Sequence, residues 1–296
     1  MKKVLFMLTC LLASVCWGQE KVGDYYEQDG IMYIIKKIPV EGDKVGRVIV
    51  THLDSVKTGN IMKYNVERKY EGVITLHNEI YIELNGERYK YDIVGIDSHA
   101  FEDCPNLIFV MLSEFTDFIG ERAFYNCKWL QVADLTPFGI RFVGKEAFAN
   151  CRMLSFVKVA NHARFGNKVF SDCTNISAIV LEKYNKIEQT PICPIDMFDK
   201  SILDKAKLYY YGDMNIKEFV KGKDCWQQFR YIEFKKSSSF DRSDFEKDGN
   251  LKTFYYMLTG EKFLGRLKTP VVTPFDYSKV KDTYQWFFRL ENYRHQ

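Results

Sequence analysis

Eight cysteines, five histidines and one acidic loop are the residues through which this 296-residue chain could do chemistry. The histidines (His52, His77, His99, His162 and His295) stand apart, with no pair at metal-ligand spacing. His99 and His162 fall in turns and read as exposed loop residues. No G-x-S-x-G, H-E-x-x-H or glycine-rich phosphate loop occurs. Asp244-Phe245-Glu246-Lys247-Asp248-Gly249-Asn250-Leu251 opens like a calcium-binding loop, but the closing bidentate carboxylate is replaced by Tyr255. A polar turn before a strand is the better reading. The residues predict no catalytic group, no metal and no cofactor.

The cysteines lead to the architecture. Four of them close one motif: Ala100-Phe101-Glu102-Asp103-Cys104, Ala123-Phe124-Tyr125-Asn126-Cys127, Ala147-Phe148-Ala149-Asn150-Cys151 and Val169-Phe170-Ser171-Asp172-Cys173. Their spacings of 23, 24 and 22 residues are the mark of stacked repeats. Cysteines at one place in successive coils form a ladder of small buried hydrophobes, with side chains parallel rather than facing. Such a line is not a tetrahedral zinc site. Cys193 and Cys225 stand outside the ladder, and the sequence leaves open whether they pair.

Each cysteine is followed by an apolar trio: Leu107, Val110 and Leu112; Leu130, Ala133 and Leu135; Leu154, Val157 and Val159; Ile176, Ile179 and Leu181. The last two of each trio are two apart, as on the inward face of a strand. Upstream of each phenylalanine stands a turn: Ile96-Asp97, Ile119-Gly120, Val143-Gly144 and Phe165-Gly166. Glycine is expected there for its tolerance of positive φ, with Asp97 next best. One unit is a short strand, a turn and a tight return arm. Such a unit cannot bury its apolar face alone, so the units must stack, with parallel strands about 4.8 Å apart.

The pattern I/V-G-x-x-A-F-x-x-C-x-x-L-x-x-V-x-L resembles the BspA-type bacterial leucine-rich repeat surface proteins. The resemblance implies a leucine-rich repeat solenoid, with short parallel strands and 3-10 or irregular return arms. It also implies an exported protein used for adhesion or protein binding. Residues 19–92 read as a β-rich flank: a strand at 30–35 after Asp29-Gly30, further strands near 45–53, 72–76 and 80–84, and a return at 88–93 across Asn85-Gly86. It resembles the family's N-terminal flank, and its role would be to cover the open edge of the first repeat. The repeats span 93–234. They end in a degenerate unit that keeps Phe198 without the alanine or cysteine, and in a cap carrying Trp226 and Phe229. Lys235 to Ser239 reads as a linker. The rest of 235–296, with a helical face at Val280, Tyr284, Phe287 and Phe288, has no assigned role.

Residues 1–18 read as a signal peptide: Lys2 and Lys3, an apolar run from Val4 to Cys16, and a cut after Gly18. The run is too short to span a bilayer comfortably, and no other stretch is long and apolar enough. A secreted or cell-surface location follows, with no membrane span in the mature chain. Without Lys2 and Lys3, the 42 basic residues become 40 against 39 acidic ones, a balance that argues against nucleic acid as a partner.

The strand positions between the trios point away from the core. They are Phe109, Met111, Val132, Asp134, Phe156, Lys158, Ala178 and Val180, and six of the eight are apolar. An idle surface would be polar there, so this column is either a binding face or an internal face covered by other parts of the chain. The first expectation for function is an exported, non-enzymatic binding or adhesion protein. Its partner would be a protein, either host matrix or envelope, with glycan as the other possibility. The alternatives are a structural component of the envelope and an enzyme using the loops or the C-terminal segment.

Overall fold

The computed structural model describes residues 22–53, 55–58, 61–64, 69–84, 86–136, 140–160, 162–182, 193–211 and 225–235. The leader, the linker beyond residue 235, the calcium-like loop and the helix expected near Val280 lie outside the described residues.

The chain begins with β1 (Tyr25–Gln28) and β2 (Ile31–Lys37). They form a hairpin through Asp29 and Gly30, whose φ values of 53° and 74° suit a two-residue turn of the primed type. Next come β3 (Val45–Val50), the small hairpin β4 (Ser55–Thr58) and β5 (Ile61–Tyr64), and β6 (Gly72–Thr75). Then β7 (Glu79–Leu84) and β8 (Glu87–Ile96) pair antiparallel across the expected turn, where Gly86 has φ 81°.

The coils follow as alternating long and short strands: β9 (Leu107–Met111), β10 (Phe118–Ile119), β11 (Val132–Leu135), β12 (Phe142–Val143), β13 (Phe156–Ala160), β14 (Arg164–Phe165) and β15 (Ala178–Glu182). After them come α1 (Lys200–Lys205), β16 (Lys207–Tyr211), a 3-10 turn at Cys225–Gln228 and β17 (Tyr231–Lys235). Strands β11, β13, β15, β16 and β17 form one parallel sheet. The short strands pair parallel in a second ladder, from β3 through β8, β10 and β12 to β14. Lys235, expected in a linker, ends β17.

The recurring phenylalanines stack between the two ladders. Ring centroids of Phe101 and Phe124 are 4.8 Å apart, those of Phe124 and Phe148 4.8 Å, and those of Phe148 and Phe170 5.5 Å. These are the coil-to-coil intervals that strand pairing imposes. The backbone repeats in step: Phe101 N–H donates to the Ala123 carbonyl, Phe124 to Ala147 and Phe148 to Val169. The ladder cysteines are free and buried. The thiols of Cys127, Cys151 and Cys173 donate to the carbonyls of Phe101, Phe124 and Phe148, at 3.0, 3.1 and 3.0 Å. A small side chain that can both pack and donate to a buried carbonyl suits this place, because the carbonyl would otherwise lose a partner.

The turn glycines have a different reason from the expected one. Gly120, Gly144 and Gly166 are not among the residues of positive φ. A Cβ on them would instead lie 2.4 Å from the Ser98 nitrogen, 2.5 Å from that of Glu121 and 2.5 Å from that of Lys145. Neighbouring backbones approach too closely there for any side chain. Positive φ falls elsewhere in the coil, at His99, Arg122, Glu146 and Lys168, and just before each cysteine at Asp103, Asn126, Asn150 and Asp172. Asn and Asp tolerate that conformation best among residues with a Cβ, which explains the second of these rows.

Both ends prolong the stack with other residues. At the start, Val50 pairs with Ile96, β6 pairs parallel with β9, and Tyr70 lies 4.7 Å from Phe101. The flank therefore supplies a coil of its own, interrupted by the β4–β5 hairpin. The Tyr70 hydroxyl donates to the Thr51 carbonyl and accepts from the Met32 N–H. At the far end Phe170 N–H donates to the Met197 carbonyl, and Phe198 stacks on Phe170 at 5.1 Å. Met197 thus takes the place of the alanine. Trp226 and Phe229 meet Phe198 edge-on, which ends the stack. A disulfide joins Cys193 to Cys225 beside them. One hydrophobic core runs from Ile31 to Phe229.

Candidate functional site

Two surfaces of the coils are candidates. The first is the strand column. Six of its residues share one face of the parallel sheet: Val132 pairs with Phe156 and Phe156 with Ala178, while Asp134 pairs with Lys158 and Lys158 with Val180; Phe109 and Met111 lie on β9, which pairs with β6 instead. The face is not open, however. Phe109, Val132, Phe156, Lys158, Ala178 and Val180 are buried, and Met111 and Asp134 are half-buried. Tyr209 and Tyr211 of β16 lie buried on the same face and join the apolar members in a second cluster, with Val73 and Met111 packed against it. Lys158 and Glu182 meet there at 3.2 Å with side chains 5% and 9% exposed. Each carries its charge almost out of water, and the other's opposite charge offsets part of that cost. Strand alternation separates this column from the core trios. It could not give its accessibility, which depends on what lies over the sheet.

The second surface was not singled out by the repeat pattern. Between each cysteine and the following leucine or isoleucine stand two variable residues. The Leu130 N–H donates to the Cys127 carbonyl and that of Leu154 to Cys151, which folds the pair outward as a tight turn. The pairs are Pro105-Asn106, Lys128-Trp129, Arg152-Met153 and Thr174-Asn175, and all eight residues are exposed. Trp129 is 47% exposed and Met153 41%. They sit on consecutive coils in register, with the Met153 N–H donating to the Lys128 carbonyl at 3.1 Å. The Asn175 amide reaches the Met153 sulfur at 3.8 Å.

The edge is braced by polar side chains. Asn126 donates to Asp103 at 2.6 Å, Asn150 donates to Asn126 at 2.7 Å, and the Asn150 oxygen accepts from Arg152 Nε at 3.1 Å. The Lys205 ammonium donates to the Thr174 carbonyl. The signal for this edge was present in the sequence. Cys and Leu mark the buried ends of each turn, so an aromatic or Met between them has nowhere inward to go.

The remaining chemical candidates stay apart. His99 contacts Glu102, and both His99 and His162 are half-buried rather than exposed. Burial lowers the pKa of His162. Among the described residues, no group of three or more His, Cys, Asp or Glu side chains is arranged to hold a metal ion. Among them, too, no helix is long and apolar enough to cross a membrane.

A stack of short parallel strands joined by tight return arms, with a phenylalanine ladder inside, is a leucine-rich repeat solenoid. Residues 89–193 match the BspA type leucine rich repeat region in six copies, and this stretch belongs to that family. Among solved structures, the chain is similar to a leucine rich cell surface protein from Faecalibacterium prausnitzii A2-165, at 17% identity and a TM-score of 0.36, over 63% of this chain and 45% of that one. It is similar to the pneumococcal vaccine antigen PcpA, at 12% identity and a TM-score of 0.37, over 64% and 65%. A leucine rich repeat protein of T. pallidum aligns at 18% identity and a TM-score of 0.34, over 53% and 72%. The chain thus spans less than two thirds of the first two. The family assignment rests on the repeat match and not on these likenesses. No curated protein matches the sequence.

Proposed function

We propose that this is an exported, non-enzymatic binding or adhesion protein whose partner is another protein, of the host matrix or the cell envelope. The observation that carries the reading is the pair Trp129 and Met153, large apolar side chains held in water on consecutive coils. Aromatic residues, Met and Arg are the types enriched at protein interfaces. The Cys193–Cys225 disulfide supports export, since such bonds persist in oxidising compartments. The leader, read as residues 1–18 with a cut after Gly18, supports it as well. In this reading residues 19–92 are the flank, 93–234 the repeats and 235–296 a C-terminal segment. The strand column around Phe109 and Phe156 is packed, so a partner would engage it only if that packing opened. The coil edge is accessible as it stands.

The test is fractionation of cells that make the protein, with protease access on intact cells. It is followed by binding of the purified mature chain to immobilised matrix proteins, glycans and envelope extracts. An extracytoplasmic protein with saturable binding to at least one protein is the expected result. A protein retained in the cytoplasm, or one that binds nothing offered, would sink the reading.

A further inference from the structure

We propose that the coil edge carrying Lys128, Trp129, Arg152 and Met153 docks an acidic polypeptide segment that bears an apolar side chain. The inference rests on the reading of the molecule as a binding protein and names the chemistry of its partner. Every charged side chain in the four exposed pairs is positive: Lys128 and Arg152 stand beside Trp129 and Met153, and the remaining pairs, Pro105-Asn106 and Thr174-Asn175, are neutral. The ammonium of Lys205, seated on the Thr174 carbonyl, prolongs the basic row by another coil. Carboxylates flank the row only at its two ends, Asp103 beside the first pair, where it accepts from Asn126, and Asp172 with Asp199 beside the last, so the middle coils carrying Trp129 and Met153 present positive charge alone. This concentration of one sign stands out in a chain whose mature form is nearly neutral, and it complements an anionic partner.

The choice of a polypeptide over a polysaccharide follows from the apolar half of the edge. Trp and Arg are the side chains that most often dominate protein interfaces, and Met adapts its shape to the side chain it meets. Arg152 is already fixed by Asn150, so less side-chain freedom is lost when it meets a carboxylate. At about 4.8 Å per coil, the row from Pro105 to Thr174 is roughly 15 Å long, the reach of about five extended residues. A short linear segment fits that length. Its acidic side chains would pair with Lys128 and Arg152, and its apolar one would cover Trp129 and Met153.

The experiment uses the purified mature chain and a fluorescent peptide of repeated Glu-Glu-Phe triplets, with a Gln-Gln-Phe peptide of the same length beside it. Fluorescence anisotropy at low and high salt reads the affinity. The acidic peptide is expected to bind, the neutral one to bind at least about tenfold more weakly, and salt to weaken the former. Trp129→Ala and the double change Lys128→Glu with Arg152→Glu should each weaken the acidic peptide about tenfold or more. Phe142→Ser, which removes another exposed apolar side chain, should leave binding unchanged; Phe142 is 47% exposed. Circular dichroism confirms that each variant is folded. Equal binding of the two peptides, no binding of either, or binding of heparin alone with the same dependence on these residues would each overturn the proposal. If the partner found in the binding survey is still held by every edge variant, the edge proposal fails while the binding function stands.

Discussion

Between Phe101 and Phe170 each coil places the same residue types where its predecessor did. The phenylalanine stacks, the cysteine donates to the carbonyl one coil back, and the turn glycine lies against the neighbouring backbone. At the two ends the same places are filled by other means. Tyr70 stands where a phenylalanine would, and its hydroxyl is tied to Thr51 and Met32. Met197 replaces alanine, and Trp226, Phe229 and a disulfide finish the far end. A middle coil is held by two neighbours and needs only to match them. A terminal coil has one neighbour and must be fastened by something extra.

That contrast can be broken deliberately. Phe124→Ala should have the largest effect, about 3–5 kcal/mol, because it empties a place enclosed by rings on both sides. Chemical denaturation should show it as one lowered, cooperative midpoint. Replacing Cys193 and Cys225 together with Ser should cost about 3–4 kcal/mol, the value expected for opening a loop of this length. The loss should also be local: hydrogen exchange should speed up first in β16 and β17 and leave β11 protected. Gly144→Ala should cost about 1–3 kcal/mol, since the new methyl meets the backbone of Glu121 and Gly120. At the matching place in the first coil Asp97 already carries a Cβ and accepts from Ser98 and Thr51, so the conservative Asp97→Asn should cost less than Gly144→Ala.

The smallest effect is on pH dependence. Burial pushes the Cys104 thiol up to about 12, from an ordinary value near 9. The folded chain therefore holds this proton more tightly than the unfolded one. The stability linked to it is intact below pH 9 and is lost as pH rises toward 12. About 1 kcal/mol should disappear between pH 9 and pH 10, measured by urea denaturation, and Cys104→Ala should flatten that slope.

The sequence disclosed what the coils share and concealed what only their contacts decide. The Phe and Cys ladders were legible because stacking repeats a residue type at a fixed interval. The flank's own coil was hidden because Val50, Tyr70 and Ile74 differ from the repeat and the β4–β5 hairpin interrupts them. Glycine at 120, 144 and 166 was visible, but a backbone approach of 2.4–2.5 Å is a contact between coils and leaves no trace in one coil's own residues. For the candidate sites, alternation separates Phe109 and Phe156 from the core trios but says nothing of their burial in a second cluster. Trp129 and Met153 occupy the variable places of the motif, on which the repeat pattern is silent. Those places are where a scaffold can change its surface without changing its fold.

The division between a packed sheet face and an open coil edge is tested most directly by thermal melting of Phe156→Ser beside Trp129→Ala. Phe156 is 1% exposed and Trp129 47%. The account predicts a fall of roughly 10 °C or more for Phe156→Ser and a change within about 2 °C for Trp129→Ala. An unchanged melting temperature for Phe156→Ser, or a large fall for Trp129→Ala, would contradict it.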